Sequence, residues 1–139
     1  MRLLVPLLLL ALLGGACAHT PKSTGLEGLR PVVEDFHQRI RWKDFRGAAK
    51  YLVPESREVF LRTRADRRDD RDLSITDFEL LEVQLAPDGM RATVVTRIQW
   101  MRLPSPSEQT ATVTSEYVFR DRAWLLERMD EGPFAGEFP

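Results

Sequence analysis

Along the first third of the chain, hydrophobic side chains recur at intervals of three and four. Leu29, Val32, Val33, Phe36 and Ile40 fall on one stripe of a helix, with Pro31 where a first turn tolerates it. Trp42, Phe45, Ala48, Ala49 and Leu52 make a second stripe, which Asp44 is placed to cap and Pro54 to end. Glu55 to Arg64 predicts a third, short helix anchored by Val59 and Phe60. After Asp72 the period changes to two. Met90, Ala92, Val94, Ile98 and Trp100 alternate with Arg91, Thr93, Arg97 and Gln99, which is the signature of a half-buried strand. From Gln109 to Phe119 the alternation repeats, with Ala111, Val113, Tyr117 and Phe119 on one face and Thr110, Thr112, Thr114 and Glu116 on the other. Trp124 to Met129 makes a last strand, and Pro87-Asp88-Gly89, Asp121-Arg122 and Pro104-Ser105-Pro106-Ser107 mark the turns.

One stretch breaks the alternation. Leu73 and Ile75 share one phase, Phe78 and Leu80 take the other, and Leu81, Val83 and Leu85 return to the first. Such slips predict bulges, which bend a sheet and increase its twist. The expected fold is therefore α+β: N-terminal helices packed on a strongly curved antiparallel sheet of at least four strands.

The N-terminus carries a different pattern. Arg2 precedes an apolar run from Leu3 to Leu13, interrupted only by Pro6 and followed by Gly14, Gly15 and Ala16. This reads as a secretory signal peptide over residues 1–16. The single cysteine of the chain, Cys17, stands directly after it. One reading takes Ala16-Cys17-Ala18 as a cleavage site that releases a soluble periplasmic protein; the other takes Cys17 as the residue that becomes lipidated. The second explains both why the thiol is alone and where it lies. Residues 17–28 then form a flexible tether, residues 29–129 the domain and residues 130–139 a tail that either packs across the sheet or stays loose.

Charge narrows the partners. Without the leader, 19 basic residues face 21 acidic ones, so no nucleic-acid footprint is expected. Arg62 to Asp72 holds five arginines and four aspartates with almost nothing apolar, and reads as a solvated helix end and loop. Candidate chemistry is sparse. His19 reads as a solvated tether residue, and His37 as a surface or boundary residue of the first helix with catalysis the lesser alternative. With one cysteine and two histidines, no metal-ligand, Ser-His-Asp or Cys-His spacing exists, and no cofactor is expected.

The order of elements, with WKDFRGAAKYLVPESREVF after the first helix and a strand meander ending in VFRDRAWLL, resembles the nuclear transport factor 2-like superfamily. Within it, the closest likeness is to small bacterial lipoproteins of unknown function with a Trp-x-Asp-aromatic stretch before an alanine pair, here Trp42, Asp44, Phe45, Ala48 and Ala49. By resemblance also, Cys17 after small residues looks like a lipoprotein box, and Ala18 after it implies the outer membrane, facing the periplasm. The resemblance implies a cone-shaped sheet whose pocket, if open, would be lined by Phe36, Ile40, Trp42, Val94, Ile98, Trp100, Val113, Tyr117 and Phe119. It also implies dimerisation through the outer sheet face as one state to expect. Three functions are compatible. The first is a non-enzymatic envelope lipoprotein that is held to the membrane by its lipid and docks on another envelope protein. The second is a carrier of a small apolar ligand in the cone, and the third an isomerase- or cyclase-like enzyme.

Overall fold

The computed structural model describes residues 24–138, so the expected signal peptide, Cys17 and most of the tether lie outside the described residues. Four helices come first: α1 (Leu26–Arg41), α2 (Phe45–Ala49), α3 (Pro54–Asp66) and the single turn α4 (Asp69–Asp72). Four strands follow, β1 (Leu73–Leu85), β2 (Arg91–Arg102), β3 (Gln109–Arg120) and β4 (Ala123–Met129), and a 3-10 turn at Gly132–Phe134 ends the chain. Each strand pairs antiparallel with its sequence neighbour, so the sheet is a meander in the order β1-β2-β3-β4. The α+β architecture expected from the sequence is the one observed.

Phase dictates which face of the sheet is buried. Ala92, Val94, Thr96, Ile98 and Trp100 of β2, and Val113, Ser115 and Tyr117 of β3, point toward the helices, and Leu29, Val33, Phe36 and Ile40 of α1 meet them in one core. The two slips of β1 are real bulges: the register with β2 shifts between Ile75 and Asp77 and again between Leu80 and Glu82. Thr76 and Leu81 are the extra residues. Each insertion swaps the inward phase, which is why Ile75, then Phe78 and Leu80, then Val83 and Leu85 all face the core side. The outer face is polar, with exposed Thr110 and Thr112 and the cross-strand pairs Arg97–Glu79 and Arg128–Glu116.

Several local expectations require correction. Helix α1 starts at Leu26, inside the stretch expected as tether, because the Gly25 carbonyl accepts the first turn's N–H groups from Gly28 and Leu29 at 3.0 and 3.1 Å. Helix α2 is shorter than its apolar stripe. At Tyr51 the chain leaves it to bridge β4 in parallel, with Val53 N donating to Leu126 O at 3.0 Å and Leu126 N to Tyr51 O at 2.7 Å. Leu52 is thus buried by the sheet and not by a helical stripe. Pro54 opens α3 in its first turn, where a missing N–H costs nothing. In α3 Phe60 is buried, but Val59 is 40 % exposed and anchors nothing. The tail is part of the core, since Phe134 and Phe138 are buried with their ring centres 5.8 and 6.4 Å from that of Phe60.

The expected cap holds. Asp44 Oδ1 accepts Gly47 N at 2.9 Å, and its other oxygen accepts Arg39 Nη1 at 2.6 Å. A Cβ at position 47 would lie 2.1 Å from that second oxygen and 2.3 Å from Arg39 Nη1. Asp44→Ala is expected to cost about 1 kcal/mol in urea denaturation. Gly47→Ala should destabilise the native sequence and lose most of that penalty in the Asp44→Ala background; strictly additive penalties would show that the cap is not what excludes a side chain there.

Candidate functional site

Of the nine residues expected to line an inner pocket, Phe36, Ile40, Val94, Ile98, Trp100, Val113 and Tyr117 belong to the contiguous core, and Phe119 is half-buried at its edge. Trp42 does not join them. It is the C-cap of α1 and 74 % exposed, because the chain turns at Lys43 through the left-handed region (φ 61°) and points the indole away from the stripe it seemed to continue.

His37 is fully buried, against the expectation of a surface position. It faces the sheet between Phe36 and Phe78, stacked on the latter at 5.2 Å. Its Nδ1 lies 2.7 Å from the Val33 carbonyl oxygen, which can only accept, so Nδ1 carries the proton. Nε2 is then a lone pair in apolar surroundings, and burial pulls the imidazole down from 6.5 to about 4 despite the favourable backbone bond. The hydroxyls of Thr96, Ser115 and Tyr117 are also buried without a partner among the described residues, and burial pushes the Tyr117 phenol up. All four groups are therefore neutral near pH 7.

The charged run also departs from its reading. Arg64 and Asp69 are 3 % and 0 % exposed. Arg64 Nε lies 2.9 Å from Asp69 Oδ2, and its Nη2 donates to Glu137 of the tail. Arg102 of β2 donates to Asp69 Oδ1, while Arg67 donates to Glu137 from the rim at 3.0 Å. The Arg64 guanidinium also packs on the rings of Phe60 and Phe134, at 4.8 and 4.5 Å from their centres. Sequence carried one signal for it: Ser56, Phe60 and Arg64, spaced by four, are the buried face of α3. Asp69 carried none, because its position depends on the left-handed turn at Arg68 (φ 54°).

Outside the core, the corner between α1 and α2 is fixed by a cap and ion pairs. Arg39 binds Asp44 and also Asp35, at 2.7 Å, and Tyr51 donates its hydroxyl to the same Asp35 oxygen. That hydroxyl first, and Arg39 second, hold the Asp35 carboxyl below its usual range. Lys43 reaches across to donate to the Asp70 carbonyl at 2.9 Å. Directly after Trp42 in the chain, Lys43 and Asp44 enter the wall of a groove of about 690 Å³, where Phe45, Leu61 and Ala65 lie among Lys43, Arg46 and Asp70. Among the described residues no group of three or more His, Cys, Asp or Glu is placed to hold a metal ion.

Solved structures with this architecture include RPA3114, a SEC-C motif containing protein from Rhodopseudomonas palustris. It is 16% identical at a TM-score of 0.60, over 78% of this chain and 80% of that one. The intermembrane space region of the chloroplast protein ARC6 is 13% identical at 0.55, over 75% and 93%. A protein of unknown function with a cystatin-like fold from Nostoc punctiforme is 10% identical at 0.53, over 78% and 91%. The fold is α+β, with N-terminal helices on a four-stranded antiparallel meander, the architecture of these structures. Identities this low carry architecture and no activity. No protein-family model matches the chain, and no curated protein matches its sequence.

Burial of ionisable side chains has two measurable consequences. An unfolded histidine takes up its proton near pH 6.5, while folded His37 resists until about 4. Unfolding therefore binds more protons across that window, and stability should fall as pH drops from 6.5 to 4, by on the order of 3 kcal/mol. Denaturation midpoints followed from pH 7 to 4 should show this slope, and His37→Phe should flatten it. Asp69→Asn leaves Arg64 with Glu137 alone and takes away the carboxylate that Arg102 meets, and should cost about 3–5 kcal/mol, against less than about 1 for Arg67→Ala at the exposed rim; equal losses in chemical denaturation would contradict the buried placement.

Proposed function

We propose that the chain is a non-enzymatic lipoprotein of the bacterial cell envelope, anchored through Cys17 at the outer membrane and facing the periplasm, whose domain docks on another envelope protein. The observation that carries this reading is Trp42. An indole 74 % exposed, on a corner fixed by a cap and two ion pairs, contributes little to folding and presents a rigid apolar anchor. The adjacent groove supplies charges of both signs around an apolar floor, the composition of a docking surface with a polar rim. A carrier or enzyme built on the cone interior finds less support, since the inner sheet residues join α1 and the tail in one core.

Two measurements test the two halves of the proposal. Metabolic labelling with a palmitate analogue should mark the native chain and not Cys17→Ser; an unlabelled native chain overturns the anchor. A photoreactive phenylalanine at position 42, expressed in the native envelope, should give one discrete adduct that excess unmodified domain suppresses, while the same probe at Thr112 gives none. Absence of an adduct at 42, or the same adduct from both positions, overturns the docking surface.

A further inference from the structure

Two side chains of the tail, Glu137 and Phe138, fill a slot whose walls come from other segments. Arg64 of α3 and Arg67 just past its end both donate to the Glu137 carboxylate, and the Phe138 ring centre lies 6.4 Å from that of Phe60. We infer that these two residues are a displaceable, built-in occupant of the inner end of the docking groove, and that the docking partner enters it with an acid next to an aromatic ring. The inference rests on the docking proposal and adds to it the chemistry of the partner and the means by which the site is kept closed.

Slot and groove share their walls. Arg64 lines the groove and also meets Glu137, and Phe45, another lining residue, has its ring centre 6.4 Å from that of Phe60. With Glu137 and Phe138 gone, Asp69 would still hold Arg64 Nε at 2.9 Å while its other oxygen accepts from Arg102, so the guanidinium stays in place, and the opening itself admits the water that an exposed charge needs. Phe60 and Phe134 would still pack against it. What remains is a pair of arginines beside aromatic rings, which is complementary to a carboxylate carried next to a ring.

The occupant is held by its side chains. Past Ala135, the one backbone–backbone hydrogen bond among the described residues runs from Glu137 N to Phe134 O at 3.2 Å, within the tail itself. Gly136 precedes the pair at φ 76°, exposed, with open space where a side chain would stand. No ladder bond ties these residues to the sheet or to a helix, and a segment so held can open locally while the rest of the fold stays closed. Tethered beside its slot, it competes with an incoming segment at an effective concentration on the order of millimolar. A partner prevails by replacing both the charge and the ring.

The experiment compares the full chain with a chain ending at Ala135, using a fluorescein-labelled peptide that copies residues 130–139, DEGPFAGEFP. Fluorescence anisotropy should show saturable binding to the shortened chain, with binding to the full chain, and binding of a peptide carrying Gln in place of its second Glu, each weaker by about tenfold or more. Phe138→Ala in the full chain keeps both ion pairs and removes only the ring; it should bind the peptide more tightly than the native sequence does, and it decides alone if the shortened chain loses its native circular dichroism. No gain in peptide affinity from either change overturns the displaceable occupant, and equal affinity of the two peptides overturns the acid. In the envelope, the adduct at position 42 should be stronger for the shortened chain. An adduct that shortening leaves unchanged overturns the tail as a competitor while docking stands, whereas no adduct from either chain overturns docking itself.

Discussion

A guanidinium removed from water draws carboxylates to it, and Arg64 shows how much structure that demand can organise. Its Nε and Nη2 meet a carboxylate from α4 and one from the tail, and Phe60 and Phe134 pack against it. Arg102 brings β2 to the same Asp69. The α3–α4 turn, β2 and the tail, far apart in sequence, are thereby required to converge on one point. Burial of ions is expensive and such clusters add little net stability over apolar packing, but each partner becomes costly to remove once the others are in place. The network therefore specifies where the tail and α4 go more than it strengthens the fold.

This explains why the helices and strands were more legible in the sequence than the charged run. Period alone located the stripe of α1, the alternation of β2 and β3, and both phase slips of β1, because apolar burial is a local pattern repeated many times. Arg62 to Asp72 has no such repetition. Which of its charges are buried is decided by Glu137, some seventy residues away, and by a left-handed turn at Arg68 that no neighbouring glycine announces. His37 was misplaced for a related reason: a polar side chain on an apolar stripe reads as a boundary residue unless its ring stacking on β1 is known.

Trp42 errs in the opposite direction. It lies in phase with Phe45, Ala48 and Ala49, yet the cap on Asp44 restarts the helix after a sharp corner, so the residues before and after it do not share a face. Capping carboxylates can break a stripe as effectively as proline does. The candidate docking surface is a product of that break, and a second break follows where the chain leaves α2 at Tyr51 to join β4.

That departure also settles how the sheet ends. The Tyr51–Val53 segment bridges the free side of β4 at Leu126, so one of the two margins of the sheet is covered there by the chain itself. On the other margin, the bulges at Thr76 and Leu81 cut β1 into three short runs. A strand from a neighbouring molecule would find no straight ladder of free backbone groups to extend. Irregularities that first looked like faults in an alternating pattern thus keep crowded copies of the protein from growing into a common sheet.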